Sequence, residues 1–312
     1  MYAHQVISDL EKTLKIPTLT DMLYREGVKL LIDNIKNAQH FYLGDFQDLK
    51  QPLKTTLTED CQLFMNESSQ FARLPYKKCW FEFDNKKVDV PLEEDVPKRG
   101  MLVIELAEDL IWVWIVNYVK AMGMWSLSPQ QYYITIGKTL VENEAVFKLI
   151  KAFHAKDNNQ KPLEESIGNS NVFPMPISVH LNAKTRISLA HDDNRDLYVL
   201  NSALLLLNCK NIETVEVKPP EKLNKKRRKN GKQEIFVYKT LRLSLPATKK
   251  EHSKNSENLE EANRIHLCRG HFKIYTEINP LFGKYTGIYW WQPHIRGSKS
   301  EGIIEKDYHI KT

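Results

Sequence analysis

Residues able to handle a phosphate are concentrated between Arg264 and Thr312. Arg-Ile-His-Leu-Cys-Arg-Gly-His-Phe-Lys-Ile-Tyr runs from Arg264 to Tyr275, Tyr-Trp-Trp-Gln-Pro-His-Ile-Arg-Gly from Tyr289 to Gly297, and Glu-Lys-Asp-Tyr-His-Ile-Lys from Glu305. Side chains two apart share a strand face, so an extended chain projects Arg269, His271, Lys273 and Tyr275 one way and Phe272 and Ile274 the other. His294 and Arg296 repeat that spacing. Gly270 and Gly297 each follow an arginine, where a missing side chain permits a bulge or a ligand's close approach. The pattern predicts one pocket formed by Arg269, His271, His294 and Arg296, with Lys273, Lys306 and Tyr308 at its rim. The chemistry it suits is metal-independent RNA cleavage. One imidazole takes the proton from a 2′-hydroxyl, the other protonates the leaving oxygen, and Arg269, Lys273 or Arg296 balances charge on the phosphorane-like transition state. No cofactor is needed. Non-catalytic anion binding by the same side chains stands beside this reading. A zinc site from His266, His271, His294 and His309 is disfavoured, because His266 and His271 fall on opposite faces of one regular strand. By the same alternation Cys268 goes with Phe272 and Ile274, as a core thiol.

Arg-Gly-His-Phe, Trp-Trp-Gln-Pro-His-Ile-Arg-Gly and the terminal Lys-Asp-Tyr together resemble a C-terminal signature of uncharacterised bacteriophage- and prophage-encoded proteins. The resemblance extends to Leu-Pro-Tyr-Lys-Lys-Cys-Trp-Phe-Glu-Phe (Leu74 to Phe83) and to Lys-Leu-Asn-Lys-Lys-Arg-Arg-Lys-Asn-Gly-Lys (Lys222 to Lys232), and so covers most of the chain. It implies residence in a bacterial host's cytoplasm and carries no activity with it.

A second cationic feature is local. Lys222, Lys225, Lys226, Arg227, Arg228, Lys229 and Lys232 occur without an acid among them, while the net charge of the whole chain is only +6. A positive segment on a near-neutral body is the footprint of a phosphate-backbone binder, with a solvated helix face as the plainer alternative. Trp290 and Trp291 suit base stacking and equally the anchoring of a protein interface. Two functions follow. One is nucleic-acid binding, to DNA or RNA, with or without cleavage. The other is a non-catalytic factor that binds a host protein. No Gly-rich phosphate loop, Rossmann fingerprint, Gly-x-Ser-x-Gly elbow or His-Glu-x-x-His is present to support the corresponding enzyme classes.

The elements that must position these residues read as α+β, with a mainly antiparallel sheet, N-terminal helices and a C-terminal β region. Residues 4–15 and 21–37 have helical apolar spacing. From Lys77 the period becomes two, giving a strand through Phe83, and further strands follow over 101–106, 111–119 and 132–136. Glu82 is expected as a solvated or lysine-paired carboxylate on an edge strand, or as an acid if it faces a cleft. Trp112, Trp114 and Tyr118 share a strand face and fit core packing better than a base-stacking platform. A helix over 140–153 should turn Val141, Ala145, Leu149 and Ile150 inward. Beyond it, 172–181 and 185–189 read as a strand pair, 196–209 as a buried helix, 212–217 as a strand, 222–230 as a short helix stopped at Gly231, and 235–245 as a long strand. The polar stretch 155–170 is the internal boundary between a region 1–155 and a region 171–312, which the pattern leaves as one domain or two. Residues 249–261 have a loop's composition. The longest apolar run, Leu110 to Val119, is about half a membrane span, so no membrane association is expected. Four scattered cysteines and an N-terminus lacking a basic-then-apolar segment point to a reducing cytoplasm.

Overall fold

The structure, a computed structural model, describes residues 1–16, 22–45, 71–84, 98–154, 170–176, 183–243, 264–268, 271–291, 294–296 and 298–303. At 45, 129, 149, 152–154, 176, 183–195, 264–268, 271, 294–296 and 298–303 the backbone alone is described. Helices α1 (Ala3–Thr13) and α2 (Met22–Lys36) form where the apolar spacing predicts them. The first buries Val6, Ile7 and Leu10, and the second buries Val28, Leu31, Ile32 and Ile35, each set covering one stripe.

Eight strands form one mixed, mainly antiparallel sheet: β1 (Gln39–Asp45), β2 (Lys78–Asp84), β3 (Lys98–Ala107), β4 (Leu110–Val119), β5 (Met124–Thr135), β6 (Val172–Pro176), β7 (Ile212–Val217) and β8 (Tyr238–Leu243). Their order is β6-β5-β4-β3-β2-β1-β8-β7. From β2 to β6 every neighbour is antiparallel, whereas β1 runs parallel to both β2 and β8. Register aligns Trp80 with Leu102 and Leu102 with Trp114, and these side chains pack with α1 and α2 in one apolar cluster. The alternate residues Phe81, Met101 and Ile115 align likewise and are fully buried. Near-continuous burial along β2 to β4 follows from this double cover. Gly100 is required here, since a Cβ at that position would lie 2.5 Å from the Trp80 ring.

Helix α3 (Glu144–His154) is capped by Asn143, whose Oδ1 accepts the Val146 N–H at 3.2 Å. The cap starts the helix later than the apolar pattern suggested, so Val141 lies before it. Val141 is exposed and Ala145 faces solvent, while Leu140, Val146 and Ile150 form the inner cluster. Residues 185–189 are not a strand. They belong to α4 (Ala183–Asn208), a helix that takes in the predicted 196–209 segment at its C-terminal end. β-Branched Thr185 and Ile187 favour a strand locally, but no sheet edge is given to them and the longer helix overrides that preference. Arg99 on β3 meets Asp196 on α4 at 3.3 Å in a buried pair. β5 begins well before residue 132, and β8 begins after residue 235. Residues 155–169 and 249–261 lie outside the described residues.

The chain divides into two compact units, Met1–Asn208 with Thr214–Arg242, and Cys209–Glu213 with Leu243–Thr312. The second contains β9 (Arg264–Cys268), β10 (His271–Tyr275), β11 (Gly287–Trp291), β12 (His294–Arg296) and β13 (Ser298–Ile303). Within it, the Lys210 N–H donates to the Ile288 carbonyl at 2.9 Å. Asn211 exchanges two bonds with the Trp290 backbone, so the 209–213 segment is stitched along β11. Tyr275, Leu281 and Tyr289 make its small core, with Trp291 against it. Among the described residues no helix is long and apolar enough to cross a membrane.

Candidate functional site

The basic run folds into helix α5 (Glu221–Lys229), which ends in a Schellman motif. Gly231 has φ +61°, its N–H donates to the Arg228 carbonyl at 3.1 Å, and the Lys232 N–H donates to the Arg227 carbonyl at 3.0 Å. Glu221 in the first turn and four cations in the last suit the helix dipole. The seven charges then sort by position. Asn224, Arg227 and Arg228 turn to the returning segment 233–236. Asn224 is buried and trades two 2.9 Å bonds with the Ile235 backbone, and Arg227 Nε donates to the Gln233 carbonyl at 2.7 Å. Arg228 grips Glu234 with two bonds at 2.7 and 3.0 Å, which holds the Glu234 carboxyl below its usual range. Lys222, Lys225, Lys226 and Lys229 occupy the opposite side, within about 100° of arc at 3.6 residues per turn. All four are exposed, as is Lys232, and none of the five forms an ion pair with another described residue.

Like charges three and four apart repel by roughly 0.2–0.5 kcal/mol per pair. Four such pairs occur in the stripe (222/225, 222/226, 225/229 and 226/229), a mutual repulsion of about 1–2 kcal/mol that offsets the dipole gain of Lys226 and Lys229. Arg227 and Arg228, expected as ligand contacts, also fasten the helix to the returning segment.

The C-terminal residues are placed on two ladders. β9 pairs antiparallel with β12, setting His294 opposite Cys268 and Arg296 opposite His266. β10 pairs antiparallel with β11, setting His271 opposite Trp291 and Lys273 opposite Tyr289. Residues 269–270 and 292–293, between the two ladders, lie outside the described residues. Arg269, Lys306 and Tyr308 lie outside the described residues, and for His271, His294 and Arg296 only the backbone position is given. Lys273 is exposed, with its ammonium 5.0 Å from the Tyr275 ring centre. Trp290 is half-buried on Phe272, at 4.7 Å between ring centres, and Trp291 is half-buried on the small core, so each offers only part of its ring to a ligand.

The densest set of perturbed titratable groups is one that the sequence pattern does not reveal. Glu82 is fully buried on β2, which is an inner strand and not an edge, so neither water nor a lysine reaches it. Its Oε2 accepts the Tyr2 N–H. Its Oε1 accepts the Ala3 N–H and, at 2.7 Å, the Trp80 indole N–H. Burial pushes this carboxyl up, opposed by the Trp80 bond, by the Met1 ammonium 3.9 Å from Oε2, and by the two backbone bonds. Two residues on, Asp84 accepts the hydroxyls of Tyr2 and Tyr42 at 2.5 and 2.6 Å, and Lys98 lies 4.7 Å above the Tyr2 ring. Desolvation, reinforced by Asp84, holds the Tyr42 hydroxyl up at about 12. Both Glu82 oxygens are engaged from within the fold, so the network fastens α1 to the sheet and is not an open acid. Trp114 is core, with half-buried Trp112 and Tyr118 packed against the same cluster. Cys79 and Cys209 are buried thiols pushed up to about 12 by burial. Among the described residues no three His, Cys, Asp or Glu side chains are grouped to hold a metal ion. No protein-family model, curated protein or solved structure matches the chain.

Proposed function

We propose that this chain binds nucleic acid, with the lysine stripe of α5 as its phosphate-backbone contact. The observation that carries the reading is the sorting of charges on α5. Three polar residues are spent on fastening the helix, and four lysines are left on one exposed stripe, mutually repelling and without described acidic partners. A polyanion relieves that repulsion and releases its own counterions, so both partners gain. The C-terminal ladders add a second cationic region, in which Arg269, His271, Lys273, His294 and Arg296 make a phosphate pocket that cuts RNA without a metal.

The test is the salt dependence of binding to duplex and single-stranded oligonucleotides. Replacing Lys222, Lys225, Lys226 and Lys229 together by Gln should lower the slope of log affinity against log salt by roughly 3–4, at 0.7–0.9 per phosphate contact. The loss should be similar across base sequences. Arg228→Gln, which removes a charge already paired with Glu234, should change the slope by much less. An unchanged slope in the quadruple variant refutes the stripe as a contact. Salt-insensitive capture of a protein, with no nucleic acid bound, would reassign the chain as a protein-interaction factor.

A further inference from the structure

We infer that the tip of the β10–β11 hairpin, Phe282 with Tyr285 and Lys284, stacks on the bases of a single-stranded nucleic acid; the inference rests on the nucleic-acid reading above and specifies the form of the ligand. The tip is a formed turn. The Lys284 and Tyr285 N–H groups donate to the Leu281 carbonyl at 3.1 and 2.9 Å, and the Leu281 N–H donates back to the Tyr285 carbonyl at 2.7 Å. Its two central residues, Phe282 and Gly283, have φ of +53° and +68°, the sign pattern of a type I′ turn. Asn, Asp or Gly is the favoured residue in the first of those seats, because a larger L side chain there crowds its own backbone. Phenylalanine occupies it, and its ring is 66% exposed. It is the sole non-glycine with positive φ among the described residues. Folding gains nothing from this choice, neither in backbone conformation nor in burial.

The surroundings favour nucleic acid as the occupant. Tyr285 is 41% exposed with the Lys284 ammonium 5.4 Å from its ring centre, so an aromatic face and a cation come from the same turn. Lys273 is exposed on β10, and from His271 to Trp291 the one acid is Glu277. Aromatic faces interleaved with cations suit unstacked bases beside a phosphate backbone. Ile278, 97% exposed, adds the kind of apolar wedge that parts neighbouring bases. A paired duplex has its base faces already covered, which is why the ligand is a single strand.

Phe282→Asn separates function from folding, because asparagine suits the turn and should leave thermal stability unchanged or raised. Affinity is measured by fluorescence anisotropy on a thymidine oligonucleotide and on an abasic strand of the same length. The substitution should weaken thymidine-strand binding roughly five- to 150-fold, the range of one base–aromatic stack, and leave abasic-strand binding unaltered. The α5 quadruple-lysine variant should weaken both strands alike. If Phe282→Asn binds both strands as the wild type does, the stacking role is refuted while the lysine reading stands. Wild-type binding to the thymidine strand alone would support stacking and refute the lysine stripe. Wild-type binding to neither strand overturns both readings. Phe282-dependent binding to anionic phospholipid vesicles without a Phe282 effect on the oligonucleotide refutes the stacking role alone and makes the tip a lipid contact.

Discussion

Glu82 offers the sharpest test of the physical account of the first unit. Its Oε1 holds two N–H donors, from Ala3 and Trp80, and its Oε2 holds a third, from Tyr2. Glu82→Gln can keep its single oxygen on the first two and then presents an NH₂ to the Tyr2 N–H, so one donor is lost together with the ion pair to the Met1 ammonium at 3.9 Å. Glu82→Leu strands all three. A buried donor left unpaired costs about 1–3 kcal/mol, which gives roughly 2 kcal/mol for Gln and about 6 kcal/mol for Leu, the latter reduced to about 4 kcal/mol by the gain of roughly 2 kcal/mol from burying an apolar side chain. Against a typical total of about 5–15 kcal/mol, the leucine variant is marginal and the glutamine variant folded. Urea unfolding followed by the fluorescence of buried Trp80 and Trp125 measures both. The pH dependence supplies an independent check of sign. Because burial raises the folded carboxyl above its unfolded value near 4.3, its contribution is full below that value and is lost as pH rises through the folded one. Wild-type stability relative to Glu82→Gln should therefore decline as pH rises above about 4.3. Equal costs for Gln and Leu, or a wild-type advantage that grows with pH over that span, would refute the arrangement.

Two further predictions follow from the same geometry. His4 and His40 are buried and lowered to about 4, chiefly by desolvation, with Arg227 adding to the effect at His4. Both stay neutral in the folded state, so stability should fall as pH drops from about 6.5, by up to about 2 kcal/mol per histidine at pH 5; urea titration of Glu82→Gln, in which the opposing carboxyl is silent, reads this, and a flat profile excludes it. On RNA, His271→Ala and His294→Ala should each slow cleavage by roughly a hundredfold or more with affinity nearly unchanged, and a wild-type protein that cuts no RNA would leave the C-terminal residues as an anion site.

What was legible in the sequence is what local chemistry decides alone. The spans of α1 and α2, the alternation of β2 to β4, and the Gly231 stop of α5 all emerge where the pattern predicts them, although of the apolar positions Leu23, Leu30, Leu31 and Ile35 in α2 only Leu31 and Ile35 are buried. The failures share a cause, which is that the outcome depended on partners distant in the chain. Thr185 to Leu189 has strand-forming residues but is drawn into the long α4, and α3 begins at the Asn143 cap, which leaves Val141 outside it. Glu82 reads as a surface carboxylate because nothing near it in sequence supplies three N–H groups. Tyr2 and Ala3 supply two of them from 79 or 80 residues away. The basic run shows the same limit from the functional side. Its charge was visible, but its division into four free lysines and two fastening arginines was not, because Gln233, Glu234 and Ile235 return along one side of α5 only once the Schellman turn has closed. Phe282 is the reverse case. Its sequence neighbours, Leu281 and Gly283, look like an ordinary turn, and only the positive φ of a fully side-chained residue, with its ring left in water, marks it as a position that folding alone does not explain. Binding residues in this chain are therefore best sought where a side chain contradicts the local fold without being rewarded by packing, a condition that the α5 lysines and Phe282 satisfy and that the better-satisfied Glu82 network does not.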